Sequence, residues 1–115
     1  MAKATAIEAV LGHHVQALAS RNIDEILKDY APDAVLFLPS GMFKGPEGLR
    51  AAFKAVLEML TPQAMANMKV IKQDIDGEYV YVLWSALPAV TFGGDTVRIH
   101  NGKVVMQSFV GQMGS

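Results

Sequence analysis

Two side chains stand where the hydrophobic pattern asks for apolar ones, and both carry acid/base chemistry: Asp95 and His14. Asp95 shares a strand face with Val97 and Ile99. An ionised carboxylate on such a face is costly to desolvate unless it is paired or hydrogen-bonded. Burial raises its pKa, which makes it a proton donor or a base of useful strength. The competing reading ends the strand after Gly93-Gly94 and turns Asp95 toward water. His14 falls on a helical stripe with Ile7, Val10, Leu11 and Leu18, where the period demands an apolar residue. A lone buried histidine either serves a site or is satisfied by a backbone carbonyl, and the second is the commoner case.

The remaining candidates are weaker. His13 points elsewhere on the same helix and His100 sits beside a turn, so both are expected in water. The pair His13-His14 has no i, i+4 partner and no carboxylate at ligand spacing, so no metal site is expected. Zero cysteines exclude disulfides, thiolate metal sites and a cysteine nucleophile. There is no nucleotide loop, nucleophile-elbow serine or paired-carboxylate spacing, and no cofactor is expected. Asp24, Glu25, Asp74 and Asp76 begin a helix or flank a turn. Trp84, Tyr30, Phe53, Met42, Met106 and Met113 are available to line a cavity or to fill an ordinary core.

At 115 residues, 51% hydrophobic and 18% charged, the chain fits one domain with a well-filled core and neither disorder nor a coiled coil. Its net charge of −1, with scattered Lys and Arg, suits neither a phosphate backbone nor an acidic membrane surface. No apolar run is long enough to span a bilayer and no signal-peptide pattern opens the chain, so a cytoplasmic location is expected. Gly114-Ser115 reads as a cloning remnant.

The elements that must position these groups follow from periodicity. The first helix carries the His14 stripe. Asn22 opens a second, with Glu25 as capping-box partner and Ile23, Ile26, Leu27 and Tyr30 facing inward, until Ala31-Pro32-Asp33 ends it. Ala34 to Leu38 reads as a short buried strand broken at Pro39-Ser40-Gly41. Pro46 starts a third helix with Leu49, Ala52, Phe53, Val56, Leu57 and Leu60 inside, and Thr61-Pro62 stops it.

The rest reads as antiparallel sheet, with hairpin turns at Asp76-Gly77 and Asn101-Gly102. A regular hairpin at Asn101-Gly102 sets Asp95, Val97 and Ile99 opposite Ser108, Met106 and Val104. Thr96, Arg98 and His100 then face Gln107, Val105 and Lys103 on the other side. The first hairpin groups Val80, Val82 and Trp84 with Ile75, Gln73, Ile71 and Lys69. Tyr79, Tyr81 and Leu83 share the opposite face with Asp74, Lys72 and Val70. Both faces carry large apolar groups, so helices are expected on one side and a partner subunit on part of the other. The fold class is α+β.

The whole chain resembles the nuclear transport factor 2-like superfamily, in its SnoaL-like and ketosteroid-isomerase-like branch. The resemblance rests on three segments: His14 to Val35, through Asn22-Ile23-Asp24-Glu25-Ile26 and Tyr30-Ala31-Pro32-Asp33; Gly45-Pro46-Glu47-Gly48-Leu49-Arg50 to Phe53; and Gly94 to Phe109 across Asn101-Gly102. It implies a cone-shaped, cystatin-like roll: a curved antiparallel sheet around three N-terminal helices, enclosing an apolar pocket and commonly dimeric. It also places Asp95 where ketosteroid isomerases keep a protonated aspartic acid, and His14 where they place an oxyanion-hole tyrosine. Tyr30 matches a supporting tyrosine, and Phe53 stands where another would be. Leu38 occupies the position of the proton-abstracting aspartate, which argues against steroid isomerisation.

Three readings follow. The first is a small cofactor-independent isomerase, lyase or cyclase acting on an apolar carbonyl-type molecule. Asp95 and His14 are its catalytic groups, and Tyr30, Leu38, Phe53, Trp84, Met106 and Ser108 contact the substrate. The second is a ligand-binding protein with the same pocket and no chemistry. The third is an adaptor working through its outer sheet face, including Arg98, Gln107 and Phe109. A homodimer through that face is expected, with neither nucleic acid nor membrane as partner.

Overall fold

Local signals set the helical third of the chain. The computed structural model describes residues 2–114, which leaves Ser115 outside the description. Helix α1 (Ala2–Ser20) buries Ile7, Ala17 and Leu18. Asn22 caps α2 (Ile23–Leu27), its side chain accepting from the Glu25 N–H. The Glu25 carboxylate does not complete the capping box; it binds Lys28 and His13 instead. Tyr30 does not continue α2. It opens strand β1 (Tyr30–Leu38), four residues earlier than the periodicity suggests. Pro32 explains the early end, because in a helix its ring would collide with the carbonyl four residues back, that of Lys28.

A short strand, β2 (Gly41–Lys44), hairpins onto β1 and leads into α3 (Gly45–Met59). Pro46 occupies the first turn of α3, and Leu49, Ala52, Phe53 and Leu57 are buried beneath it. Thr61 then caps a further one-turn helix, α4 (Pro62–Ala66), accepting from the Ala64 N–H. Neither β2 nor α4 stands out by pattern, since each is too short to show a period. Among the described residues no helix is long and apolar enough to cross a membrane.

Four long strands complete an open, curved six-stranded sheet: β3 (Met68–Asp76), β4 (Tyr79–Ala86), β5 (Val90–His100) and β6 (Lys103–Met113). The strand order is β2-β1-β6-β5-β4-β3, antiparallel except where β1 runs parallel to β6. The helices cover one face, with Leu36, Val80, Val97 and Ile99 meeting Phe53 and Leu49 in a single core.

Two β-bulges change which residues face that core. The second hairpin starts as expected, with His100 opposite Lys103 and Ile99 opposite Val104, but Arg98 then faces Met106. Val105 is the extra residue, and it reverses the alternation of everything beyond it. Gln107 and Phe109 therefore lie on the Asp95 face, while Met106 and Ser108 pair with Arg98 and Thr96 on the outer face. In the first hairpin Asp76 pairs with Tyr79, so the turn is Gly77-Glu78. A shift at Ile71 then brings Val70 opposite Trp84. Each bulge bends its strand and adds twist, as a sheet wrapped around helices requires.

Candidate functional site

The reversal in β6 builds the polar centre of the fold. Asp95 Oδ1 accepts from Trp84 Nε1 at 2.8 Å, and Oδ2 accepts from Gln107 Nε2 at 2.6 Å. The buried Tyr30 hydroxyl donates in turn to Gln107 Oε1. The chain of bonds has one consistent direction: a carboxylate only accepts and an indole N–H only donates, which sets the amide orientation of Gln107. Burial pushes the Asp95 pKa above its ordinary value, while the Trp84 and Gln107 donors pull it partly back. Asp95 is thus a stronger base than a solvated carboxylate, held by two neutral donors and no cation. Burial likewise holds the Tyr30 phenol above its usual range, with Asp95 and Asp29 adding to the effect, so it remains a donor.

This group opens onto a cavity of ≈ 130 Å³ between the sheet, α1 and α3. Leu38, Phe53, Trp84, His14, Asp95 and Gln107 are among its walls. Tyr30 stands behind Gln107 rather than in the wall. Met106 and Ser108, expected to contact a ligand, are excluded by the Val105 bulge. Gln107 and Phe109, assigned by regular pairing to the outer face, take their places.

His14 shares the cavity with Asp95, yet among the described residues no hydrogen bond joins them. The imidazole packs edge-on against Tyr30 at 5.8 Å and Phe53 at 6.0 Å. Its Nδ1 is sealed from solvent without a partner among the described residues. Burial lowers its pKa from 6.5 to about 4, so the ring is neutral at pH 7. Orphaned buried N–H groups are rarer than orphaned acceptors. The proton accordingly belongs on Nε2, which makes His14 a neutral donor. In the unfolded chain this histidine protonates near 6.5, in the folded chain only near 4. The unfolded state thus binds more protons in that window, and stability falls as pH drops through it. His14→Phe is expected to flatten this acid limb, read as a smaller loss of urea midpoint between pH 7 and pH 5. An unchanged limb would contradict the assignment.

The cavity owes part of its shape to absent side chains. The Phe109 ring lies over Gly93 and Gly111 and packs on Trp84 with centroids 5.5 Å apart. A Cβ at Gly111 would sit 2.7 Å from Phe109 Cζ. Gly111→Ala is therefore expected to drive the ring toward the cavity and shrink it, seen as a changed ring-current shift on the Trp84 indole proton. A wild-type shift would show that the ring has room elsewhere.

His13 stays outside the cavity wall and in contact with water, as expected, and it also makes ion pairs that the spacing did not signal. Its Nδ1 lies 2.8 Å from the Asp29 carboxylate and its Nε2 3.1 Å from Glu25 Oε2, so it bridges α1 to the α2–β1 junction. Asp29 foremost, then Glu25, raise its pKa. Sequence spacing gave no signal for this contact, because it is made sixteen residues apart by the packing of two elements. His100 is exposed as expected and binds Glu78 at 2.5 Å. Among the described residues, no cluster of three or more histidines or carboxylates could hold a metal ion.

Comparison with known proteins agrees with this architecture. The SnoaL-like domain model matches residues 11–107. No curated protein sequence matches the chain. A Burkholderia xenovorans protein of unknown function with an NTF-2-like fold superposes with a TM-score of 0.76 at 22% identity, covering 97% of this chain and 87% of its own. A Sinorhizobium meliloti protein described as a candidate polyketide cyclase gives 0.71 at 15% identity, covering 89% and 94%. A Nostoc punctiforme protein of unknown function with a cystatin-like fold gives 0.67 at 21%, covering 92% and 88%. At these identities the structural likeness speaks for the fold alone. The family match spans most of the sequence, and the chain belongs to the SnoaL-like domain family.

Proposed function

We propose that this protein is a small acid/base enzyme, independent of cofactors, that moves a proton on an apolar carbonyl-type molecule. The observation that carries the reading is Asp95: a carboxylate in a cavity wall, its basicity raised by burial and its oxygens held by Trp84 and Gln107. Such a group removes a proton next to a carbonyl and returns it elsewhere, the common step of isomerases, lyases and cyclases. His14, a neutral donor in the same cavity, stabilises the developing enolate oxygen. Leu38 offers no second base, so Asp95 performs both transfers. A candidate polyketide cyclase among the structural relatives is compatible with small-molecule chemistry in this fold.

The absent base at Leu38 also supports a second reading, a binding protein in which Asp95 and His14 only orient a ligand. Deuterium uptake at the α-carbon of cyclohexanone in D2O separates the two. Uptake that saturates with ketone and exceeds the buffer rate supports the enzyme. Ketone binding without uptake supports the binder.

The outer sheet face supports a homodimer as part of the same proposal. Phe37, Tyr79, Tyr81 and Val110 are all at least 43% exposed there, an apolar surface that a second copy would cover. Light scattering at monomer mass across micromolar concentrations would contradict it.

A further inference from the structure

The occupant of the cavity can be specified beyond an apolar small molecule, on the reading that Asp95 and His14 serve a bound ligand. Size comes first. A volume of ≈ 130 Å³ is close to the ~150 Å³ of an engineered void that takes benzene, and far below the ~300–1,000 Å³ usual for drug-sized ligands. Charge comes second. No Lys or Arg lines the cavity, and His14, its one basic side chain, is neutral. An anion would lose its water, find no counter-charge and meet Asp95. An ammonium would bring three donors to a wall where Asp95 keeps room for one and Gln107 Oε1 is taken by Tyr30, so its other donors would lose water against apolar side chains.

Shape comes third. Trp84 and Phe109 form one aromatic wall and Phe53 stands in another, surfaces that favour a flat ring. We propose that the cavity takes a neutral, one-ring molecule with a donor or acidic C–H directed at Asp95 and an acceptor directed at His14. Longer substituents leave past Val15 and Val70, lining residues that reach solvent.

Trp84 is the single tryptophan, so its indole N–H gives one NMR cross-peak at the Asp95 contact. Four probes titrated against it test the proposal: phenol, benzoate, benzylamine and 2-naphthol. Phenol is expected to shift the peak saturably, with benzoate and benzylamine at least tenfold weaker and 2-naphthol no tighter despite its second ring. Asp95→Asn is expected to narrow the gap between phenol and benzoate. Benzoate or benzylamine matching phenol, 2-naphthol binding tenfold tighter, or no probe moving the peak would each overturn the proposal. The titration reads binding without turnover. A protein that passes it yet exchanges no ketone protons retains this ligand class and loses only the enzyme.

Discussion

Asp95→Asn is expected to lower α-proton exchange by about 10²–10⁴-fold, the usual contribution of a positioned acid/base group, while leaving the fold intact. The hydrogen-bond chain explains why the variant isolates chemistry from structure. The new side-chain oxygen still accepts from Trp84 Nε1. Its amide nitrogen can donate to Gln107 Oε1 once the Gln107 amide flips, and Gln107 Nε2 then donates to the Tyr30 oxygen. The heavy-atom contacts of the native network survive, and the one bond given up is that of the Tyr30 hydroxyl proton to Gln107 Oε1. The pH dependence of stability should change as well. Asp95 has a folded pKa above its unfolded value, so the native state loses stability as pH rises through that interval. An asparagine does not titrate there, and the variant should gain on wild type as pH rises. Exchange at the wild-type rate would remove Asp95 from the mechanism.

Leu36→Ala is expected to cost about 2–5 kcal/mol, a large share of the ~5–15 kcal/mol typical of a domain. Leu36 is 1% exposed, sits opposite Gln107 in the register and forms part of the cavity wall. Truncation there enlarges a void that neighbouring rings already hold open, so little collapse offsets the loss. Its neighbour Phe37 points to the outer face, and Phe37→Ala should stay within about 1 kcal/mol in the monomer. Guanidinium unfolding of the two variants reads the contrast directly. Equal costs would contradict the register of β1 against β6.

The parts of the fold legible in the sequence are those set by local chemistry. The Asn22 and Thr61 side chains cap where hydroxyl or amide oxygens meet free N–H groups, though Thr61 read only as a stop. The inner face of α3 follows its period, and Asn101-Gly102 makes the predicted turn. Asp95 and His14 stood out because each breaks an apolar pattern, and both line the cavity. Gln107 was hidden by one residue. Val105 is as good a strand residue as its neighbours, and only the bending of the sheet around the helices makes it a bulge. Assuming regular pairing exchanged Gln107 and Phe109 for Met106 and Ser108, and it misplaced Ile71 and Val70 likewise. The Tyr30–Gln107 bond and the His13–Asp29 contact depend on packing between distant segments, which no spacing rule encodes.

On this reading Asp95 acts as a base of raised pKa inside an open cavity. The most direct test is the pH dependence of α-proton exchange on cyclohexanone, measured for wild type and Asp95→Asn. The wild-type rate is expected to climb through a single ionisation above the ordinary carboxylate range and then level off. The variant should follow the buffer rate throughout. Coincident profiles for the two proteins, or a wild-type rate simply proportional to hydroxide, would contradict it.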